Sequence, residues 1–152
     1  MKYNAIVSLG SNIEPRALYL ERAILELSQL PGTALVRASS VIETEGVGVP
    51  DEFKAIKFLN QAAIFETTLG PYEFSNAMHA IEERLGRVRT VKNGPRTIDI
   101  DLIDFDGIVL DDPELTLPHP RAAERDFVQI PLRELGKASP TCKHAIYNRR
   151  HD

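Results

Sequence analysis

Residues 97–102 alternate between polar and apolar side chains, and this pattern constrains the fold more than any other part of the chain. Apolar side chains occupy every second position, namely Ile98, Ile100 and Leu102. Asp99 and Asp101 lie between them. Because successive side chains of a β-strand face opposite sides, the two carboxylates leave the same face about 7 Å apart at Cα. The segment is therefore predicted to be a half-buried strand that carries two carboxylates on one surface.

Two carboxylates at this spacing suit a divalent cation. Mg2+ prefers hard oxygen ligands and keeps several waters, so Asp99 and Asp101 would complete a site together with phosphate oxygens of a substrate. An Asp-x-Asp pair alone is more often the polar face of a surface hairpin. Here Gly94 and Pro95 bend the chain before the strand, and Arg96 offers a planar, permanently charged group to phosphate. The combination favours a metal and phosphate site.

Size and charge limit the partners of this chain. With 152 residues, of which 43% are hydrophobic and 26% charged, the chain is expected to form a single soluble domain spanning residues 1–152. Its formal net charge of −4 argues against nucleic acids and anionic membranes, which bind broad basic surfaces. The basic residues near the aspartates are nevertheless clustered: Arg84, Arg87, Arg89, Lys92 and Arg96. A local cluster of this kind favours a small polyanion over a long one.

The cysteine content and the N-terminal region bear on the compartment. Cys142 is the only cysteine and cannot form an internal disulfide, so a reducing, cytoplasmic location is expected. The apolar run at residues 5–9 is too short for a signal peptide or a membrane span. No membrane association is therefore expected.

Hydrophobic periodicity and turn residues predict the element order β-α-β-β-α-β-β-α. The strands are predicted at residues 3–9, 33–43, 58–68, 97–105 and 108–110. The helices are predicted between Pro15 and Pro31, between Pro71 and Gly86, and in part of residues 121–135, where Pro131 must break the helix. Two helices that cover a mostly antiparallel sheet indicate an α+β fold of the ferredoxin-like type.

Three connecting segments are also predicted. Residues 10–12 lack the spacing and the lysine of a phosphate-binding glycine loop, so they are interpreted as a turn that ends the first strand. Residues 44–57 are interpreted as a long loop, and such loops are often functional in compact domains. Asp106 and Gly107 are interpreted as the turn of a hairpin between the aspartate strand and residues 108–110.

Several separated motifs resemble the family of 6-hydroxymethyl-7,8-dihydropterin pyrophosphokinase. The motifs are Ser-Leu-Gly-Ser-Asn at 8–12, Phe-Leu-Asn at 58–60, Gly-Arg-Val-Arg at 86–89, Asn-Gly-Pro-Arg-Thr-Ile-Asp-Ile-Asp-Leu-Ile at 93–103 and Leu-Pro-His-Pro-Arg at 117–121, followed by Arg125 and Phe127. They occur in the family's order and extend the resemblance over residues 3–135. The resemblance implies an ATP-dependent diphosphotransferase of folate biosynthesis, which moves pyrophosphate from ATP to the pterin and releases AMP.

The resemblance also implies the site residues and the ligands. Two Mg2+ ions are expected at Asp99 and Asp101, and the catalytic set comprises these aspartates with Arg87 and Arg96. The residues expected to bind the co-substrate ATP are His79, Glu82, Arg87, Arg89, Arg96, Ile98, Thr116, His119 and Arg125. The residues expected to bind the pterin are Thr44, Val47, Phe58, Asn60, Asp99 and Phe127. A monomer that binds these two small molecules is expected.

The conformational preferences and spacing of these residues agree with several of the assignments. Prolines on both sides of His119 hold it in a rigid extended segment. His79 and Glu82 are three residues apart on a predicted helix and so share one face. Asn60 follows Phe58 by two residues on a predicted strand, so both face the same side, where the amide can meet the edge of a flat heterocycle and the ring can stack on it. The phenylalanines can equally be ordinary core residues.

Departures from the family pattern leave two other functions open. Asn93 replaces the tryptophan that commonly precedes Gly-Pro-Arg, the basic loop is about one residue shorter, and Glu45 and Gly46 replace a more apolar segment. The first two changes affect a lid that is expected to close over ATP. The third change affects the loop that is expected to bind the pterin. The chain could therefore be a non-catalytic nucleotide- or pterin-binding homologue. The aspartates could alternatively serve a metal-dependent phosphatase or nuclease, in which the two aromatic residues would have no role.

Overall fold

An antiparallel sheet with helices on its faces organises the computed structural model, which describes residues 1–45, 57–86 and 97–136. The strands are β1 (Tyr3–Ser11), β2 (Thr33–Ala38), β3 (Ile42–Glu45), β4 (Lys57–Thr67), β5 (Asp99–Phe105), β6 (Leu110–Asp111) and β7 (Thr116–Leu117). The helices are α1 (Arg16–Ser28), α2 (Pro71–Arg84) and α3 (Asp126–Glu134), and a short 3-10 helix (Ala122–Glu124) precedes α3. Among these helices, none is long and apolar enough to cross a membrane.

The main sheet has the strand order β2-β4-β1-β5, and β3 also pairs with β4. The strand predicted at residues 33–43 is divided into β2 and β3, which pair with opposite ends of β4. Ser39 marks the division: its N–H donates to the carbonyl of Ala62 at 2.8 Å, and its hydroxyl accepts from the Ala62 N–H at 2.9 Å. Because this side chain bonds directly to the β4 backbone, the regular ladder is interrupted there.

Helices pack against both faces of the sheet and form a hydrophobic core on each side. On one face, α1 and α2 contribute Leu20, Leu27, Phe74, Met78 and Ile81 to a core that includes Val7, Leu9, Phe65, Ile100 and Leu102. On the other face, α3 contributes Val128 and Leu132 to a smaller core with Ile6, Ala62, Ile64 and Ile103. Each large side chain removed from water stabilises the fold by about 1.5–3 kcal/mol. The predicted α+β arrangement of helices against an antiparallel sheet is present.

Helix α3 contradicts the prediction that Pro131 breaks the helix. Pro131 lies inside α3, and its carbonyl accepts from the Leu135 N–H at 3.3 Å. A proline removes one i→i−4 hydrogen bond, here the one to Phe127. Because Pro131 and its neighbours Val128 and Leu132 are buried, apolar packing offsets that loss.

Two predicted connections are also different in the structure. The first strand does not end at a turn after Leu9, because β1 continues to Ser11, which pairs with Leu59. The turn at residues 106–107 is present, with φ of 55° and 73°, but residues 108–110 do not return along β5. Leu110–Asp111 pairs with Thr116–Leu117 instead. The edge of β5 is already occupied by His119, whose N–H donates to the Ile103 carbonyl at 2.9 Å.

Of the predicted loop at residues 44–57, Thr44 and Glu45 belong to β3, Lys57 belongs to β4, and 46–56 lie outside the described residues.

Gly32→Ala should destabilise the fold more than Gly86→Ala. Both glycines have positive φ, 61° and 85°, which costs an L side chain about 1–2 kcal/mol. A Cβ at Gly32 would also collide with the Thr68 hydroxyl, whereas a Cβ at Gly86 meets no atom of the described residues within 4 Å. We expect losses of about 3 and about 1 kcal/mol in the free energy of unfolding, measured by urea denaturation. Equal losses for the two variants would contradict the contact at Thr68.

Candidate active site

The β5 strand presents its two aspartates on the face opposite the larger core. Ile98, Ile100 and Leu102 are buried, whereas Asp99 and Asp101 are half-buried. In the pairing with β1, Asp99 lies opposite Gly10 and Asp101 lies opposite Ser8. The alternation therefore has the predicted effect, and both carboxylates leave the sheet on the side of α3.

His119 is held beside Asp101 by its own backbone. Its N–H bonds to Ile103 on β5, and its Nδ1 accepts from the Arg121 N–H at 3.3 Å. A neutral imidazole that accepts at Nδ1 carries its proton on Nε2. Nε2 lies 4.0 Å from the Asp101 Oδ1 atom. The ring therefore directs an N–H donor toward the aspartates.

Burial and nearby cations keep His119 neutral. Burial lowers the pKa of His119 most, the Arg125 and Arg121 guanidinium groups lower it further, and Asp99 opposes them. Arg125 also stacks on Phe127, with its Cζ atom 5.5 Å from the ring centroid. Its buried Nε has no hydrogen-bond partner among the residues that the structure describes. A buried guanidinium donor of this kind suits an anionic acceptor.

Glu82 connects α2 to the segment between the aspartates. Its Oε2 atom accepts from the Ile100 N–H at 2.7 Å, and its Oε1 atom lies 3.0 Å from His79 Nδ1. The Glu82 side chain is buried, with 3% of the residue exposed, while His79 remains half-exposed. Because these contacts use both oxygens, Glu82 holds the backbone between Asp99 and Asp101 in place.

A pocket of about 200 Å3 opens where α2, β5 and the segment before His119 meet. Its lining includes His79, Asp101, Thr116 and His119, all of which carry predicted roles. The side chain of Ile98 is fully buried, so only its backbone groups are available to a nucleotide. The structure therefore brings most of the described residues predicted to bind ATP to one edge of β5.

The residues predicted to bind the pterin lie at the end of the sheet that includes β3. Thr44 on β3 is directly opposite Phe58 on β4, and Asn60 on β4 is directly opposite Gly10 on β1. The Asn60 Nδ2 group donates to the Thr44 hydroxyl at 2.5 Å. Phe58 is half-buried on this face, and Phe127 is half-buried against the smaller core beneath α3. Asp99 borders this surface, because it pairs with Gly10, and Asp101 lines the pocket.

Four predicted residues, Arg87, Arg89, Arg96 and Val47, lie outside the described residues. Arg84, the first cation of the basic cluster, forms an ion pair with Glu26 at 2.7 Å. Gly10 also lies at this end of the sheet, opposite both Asn60 and Asp99, although the sequence analysis interprets residues 10–12 as a turn. Their place in the family motif at residues 8–12 was the available signal.

The donor set fits a magnesium ion that is shared with a substrate. No group of three or more His, Cys, Asp or Glu residues that could hold a metal occurs in residues 1–45, 57–86 and 97–136. Asp99 and Asp101 offer hard carboxylate oxygens, and Mg2+ commonly uses one or two carboxylates plus phosphate oxygens and water. The two aspartates therefore fit that ion without a complete protein cage.

Replacing Arg125 should move the titration of His119. In the ligand-free protein, the imidazole of His119 should become protonated only below the ordinary pKa of about 6.5, because burial and cations oppose the charged form. Arg125→Gln removes one of those cations, so the pKa of His119 should rise toward the ordinary value. Titration by NMR of the imidazole protons measures this change. The exposed Arg22 on α1 supplies the control Arg22→Gln, which should leave the midpoint unchanged.

Comparison with known proteins agrees with the predicted family. The sequence model for 7,8-dihydro-6-hydroxymethylpterin-pyrophosphokinase matches residues 6–137. The 2-amino-4-hydroxy-6-hydroxymethyldihydropteridine pyrophosphokinase of Bacillus subtilis is 40% identical over 131 residues, which cover 86% of this chain and 77% of that protein. The protein of the same name from Pseudomonas aeruginosa is 38% identical over 130 residues, which cover 85% of this chain and 78% of that protein.

A crystal structure of a Plasmodium falciparum HPPK-DHPS variant with pterin and p-hydrobenzoate resembles this chain with a TM-score of 0.66 and 16% sequence identity. The match covers 97% of this chain but 42% of that longer chain. At this identity the likeness establishes the fold alone, and it confirms the predicted ferredoxin-like class. The match of the family model over residues 6–137 and the 40% identity to the Bacillus subtilis protein show that the chain belongs to the 7,8-dihydro-6-hydroxymethylpterin-pyrophosphokinase family.

Proposed function

We propose that this chain transfers pyrophosphate from ATP to the hydroxymethyl group of 6-hydroxymethyl-7,8-dihydropterin and releases AMP, as its family does. The main support is the position of Asp99 and Asp101. Asp101 lines a pocket together with Thr116 and His119, and Asp99 lies in one row across the sheet with Gly10 and with Asn60 of the surface that carries Phe58. A transfer between two substrates requires both to meet at shared groups, and the two aspartates occupy that position.

The reaction is an in-line displacement at the β-phosphorus of ATP. The pterin hydroxymethyl oxygen forms the new bond to that phosphorus, the bond to the α-phosphate oxygen breaks, and AMP leaves with the electron pair. The hydroxyl proton is released to solvent, since none of the described side chains is clearly placed as a general base. Alignment and charge neutralisation therefore account for most of the catalysis.

Asp99 and Asp101 are proposed to hold two Mg2+ ions. When bound, these ions neutralise the charge that develops on the transferring phosphates. His119 donates its Nε2–H to a phosphate oxygen, and the buried Arg125 Nε supplies a second donor close by. His79, Thr116 and the backbone of Ile98 contact the nucleotide, and Glu82 supports it by holding β5.

The remaining roles follow the sequence prediction. Arg87 and Arg96 are proposed to stabilise the migrating pyrophosphate, with Arg89 as a further ATP contact. Phe58 and Phe127 enclose the pterin, Asn60 binds its edge, and Thr44 and Val47 complete that side. Thr44 is supported by its hydrogen bond to Asn60.

We also propose that residues 1–152 form a single domain that acts as a monomer in the cytoplasm. The single cysteine and the two small-molecule substrates support this assignment. Size-exclusion chromatography with light scattering tests the monomer, and cell fractionation tests the location.

Asp99→Asn and Asp101→Asn should each lower the rate of AMP formation by at least about a hundredfold, because charge stabilisation of the transition state is lost. The measurement is AMP release from ATP with Mg2+ and 6-hydroxymethyl-7,8-dihydropterin. Glu66→Gln, at the far end of the same sheet beside Lys2, is the matched control and should keep full activity. Full activity of either aspartate variant would reject the metal assignment.

The products of the same incubation separate the other two functions. Binding of ATP and pterin without AMP would indicate a non-catalytic homologue. Release of phosphate or nucleotide without any pterin would indicate a hydrolase. ADP as the product would indicate an ordinary kinase.

A further inference from the structure

Four side chains recur at helical spacing on one face of α2: Tyr72, Ser75, His79 and Glu82. Ser75 and His79 line the pocket of about 200 Å3, hereafter the nucleotide pocket. Glu82, at the C-terminal end of this face, ties α2 to β5 through the Ile100 N–H. Tyr72 lies at the N-terminal end of the same face, where it contacts the segment that forms the opposite wall of the pocket.

A tight turn at residues 112–116 forms that opposite wall. Glu114, Leu115 and Thr116 line the pocket. Asp112 organises the turn, because its Oδ1 atom accepts from the Glu114 N–H at 3.0 Å and its carbonyl accepts from the Leu115 N–H at 3.1 Å. The Thr116 hydroxyl also donates to that carbonyl, at 3.4 Å. A carboxylate that bonds to the backbone two residues on is typical of Asx turns, so the position of Asp112 determines the position of this wall.

Tyr72 joins the two walls through a hydrogen bond. Its hydroxyl donates to the Asp112 Oδ2 atom at 2.9 Å. The carboxylate therefore uses one oxygen within the turn and the other on α2. A hydrogen bond to a carboxylate is roughly twice as strong as one between neutral groups. The contact is thus strong enough to fix the turn relative to the helix.

The turn depends on such a contact because the ribbon that carries it is short. β6 and β7 have two residues each, and an isolated two-stranded ribbon is at best marginally stable in water. Leu110, Leu115 and Leu117 anchor the ribbon on the larger core, whereas Glu114 is exposed. The bond from Tyr72 adds the polar contact that sets the distance between the turn and α2.

The ring of Tyr72 has a separate, structural role. It is half-buried and packs against the larger core. A phenylalanine ring would fill that place equally well, so the hydroxyl is the part of the side chain that serves the contact with Asp112. Removal of the hydroxyl alone therefore separates the two roles.

We propose that Tyr72 is a positioning residue that holds the Asp112 turn against α2 and thereby sets the width of the nucleotide pocket. This inference rests on the proposed function, because it takes an adenine nucleotide as the ligand of the pocket. The hydroxyl acts through Asp112 and touches neither substrate. Without it, the turn spends part of its time displaced from α2, and the apparent nucleotide affinity falls in proportion to the fraction of molecules with a correctly formed pocket.

The first experiment compares wild type with Tyr72→Phe. Calorimetry measures the Kd of a non-hydrolysable ATP analogue with Mg2+, and AMP formation gives kcat and the KM of each substrate. We expect the Kd of the analogue and the KM of ATP to rise about five- to tenfold, which corresponds to a correctly formed pocket in roughly 10–20% of the molecules. The kcat at saturating ATP and the KM of the pterin should stay within about twofold of wild type, because bound nucleotide restores the turn and the pterin surface is untouched.

Two control variants test whether the effect is specific. Tyr19→Phe removes the same hydroxyl from α1, where Tyr19 packs against the same larger core. Ile64→Val lowers stability from the smaller core on the other face of the sheet. Both should bind the analogue like wild type, and urea denaturation measures the stability of each variant. If Ile64→Val weakened binding as much as Tyr72→Phe at an equal loss of stability, the effect would be general destabilisation and the proposal would fail.

A double-mutant cycle with Asp112→Ala tests the route through Asp112. Asp112→Ala should raise the Kd of the analogue at least as much as Tyr72→Phe, because it removes both the acceptor and the turn contact to Glu114. In that background, Tyr72→Phe should cause no further loss, since its partner is already absent. Independent losses that multiply would overturn the proposal. Asp112→Ala also tests the proposal by itself if Tyr72→Phe folds poorly.

The outcomes separate this inference from the function on which it rests. If wild type fails to bind the ATP analogue, the proposed function fails. If wild type binds the analogue and Tyr72→Phe binds it equally well, the positioning role alone is rejected. A fall in kcat with an unchanged KM of ATP, or equal rises in KM for both substrates, would also reject that role.

Discussion

The pairing of β1 between β4 and β5 is the constraint on which the site depends. This register places Asn60, Gly10 and Asp99 in one row and Ser8 beside Asp101. Because side chains alternate along a strand, a shift of one residue would turn both carboxylates into the core and expose the isoleucines. The larger hydrophobic core thus enforces the direction of the aspartates, since Ile98, Ile100 and Leu102 have to remain buried.

The outer edge of β5 shows how a structural requirement also serves the site. An edge strand presents backbone groups that no further strand satisfies. In β5, the Ile100 N–H donates to Glu82, and the Ile103 carbonyl accepts from the His119 N–H. Both bonds satisfy the edge, and both hold groups beside the aspartates. This use of the edge also explains why residues 108–110 do not pair with β5.

The electrostatic character of the site is local and differs from that of the whole chain. The formal net charge is −4, yet Arg121 and Arg125 lie close enough to His119 to lower its pKa. A neutral imidazole and a half-buried guanidinium lie beside two carboxylates. A phosphate chain with its cations suits this arrangement, because it brings anionic oxygens to the donors and positive charge to the aspartates. The charges around His119 and the two aspartates therefore agree with the family assignment.

The strand with Asp99 and Asp101, the positions of the first two helices and the family are predictable from the sequence alone, because period-two alternation, proline and glycine boundaries and contiguous motifs are local signals. The roles of Arg87, Arg89, Arg96 and Val47 remain predictions from the sequence. Three further arrangements follow from the three-dimensional fold alone: Glu82 bonds to Ile100, Leu110 pairs with Leu117, and Gly10 lies between Asn60 and Asp99. These contacts join residues far apart in sequence, so no local pattern specifies them. Pro131 shows the same limit, because burial of α3 overrides the local preference of proline to end a helix.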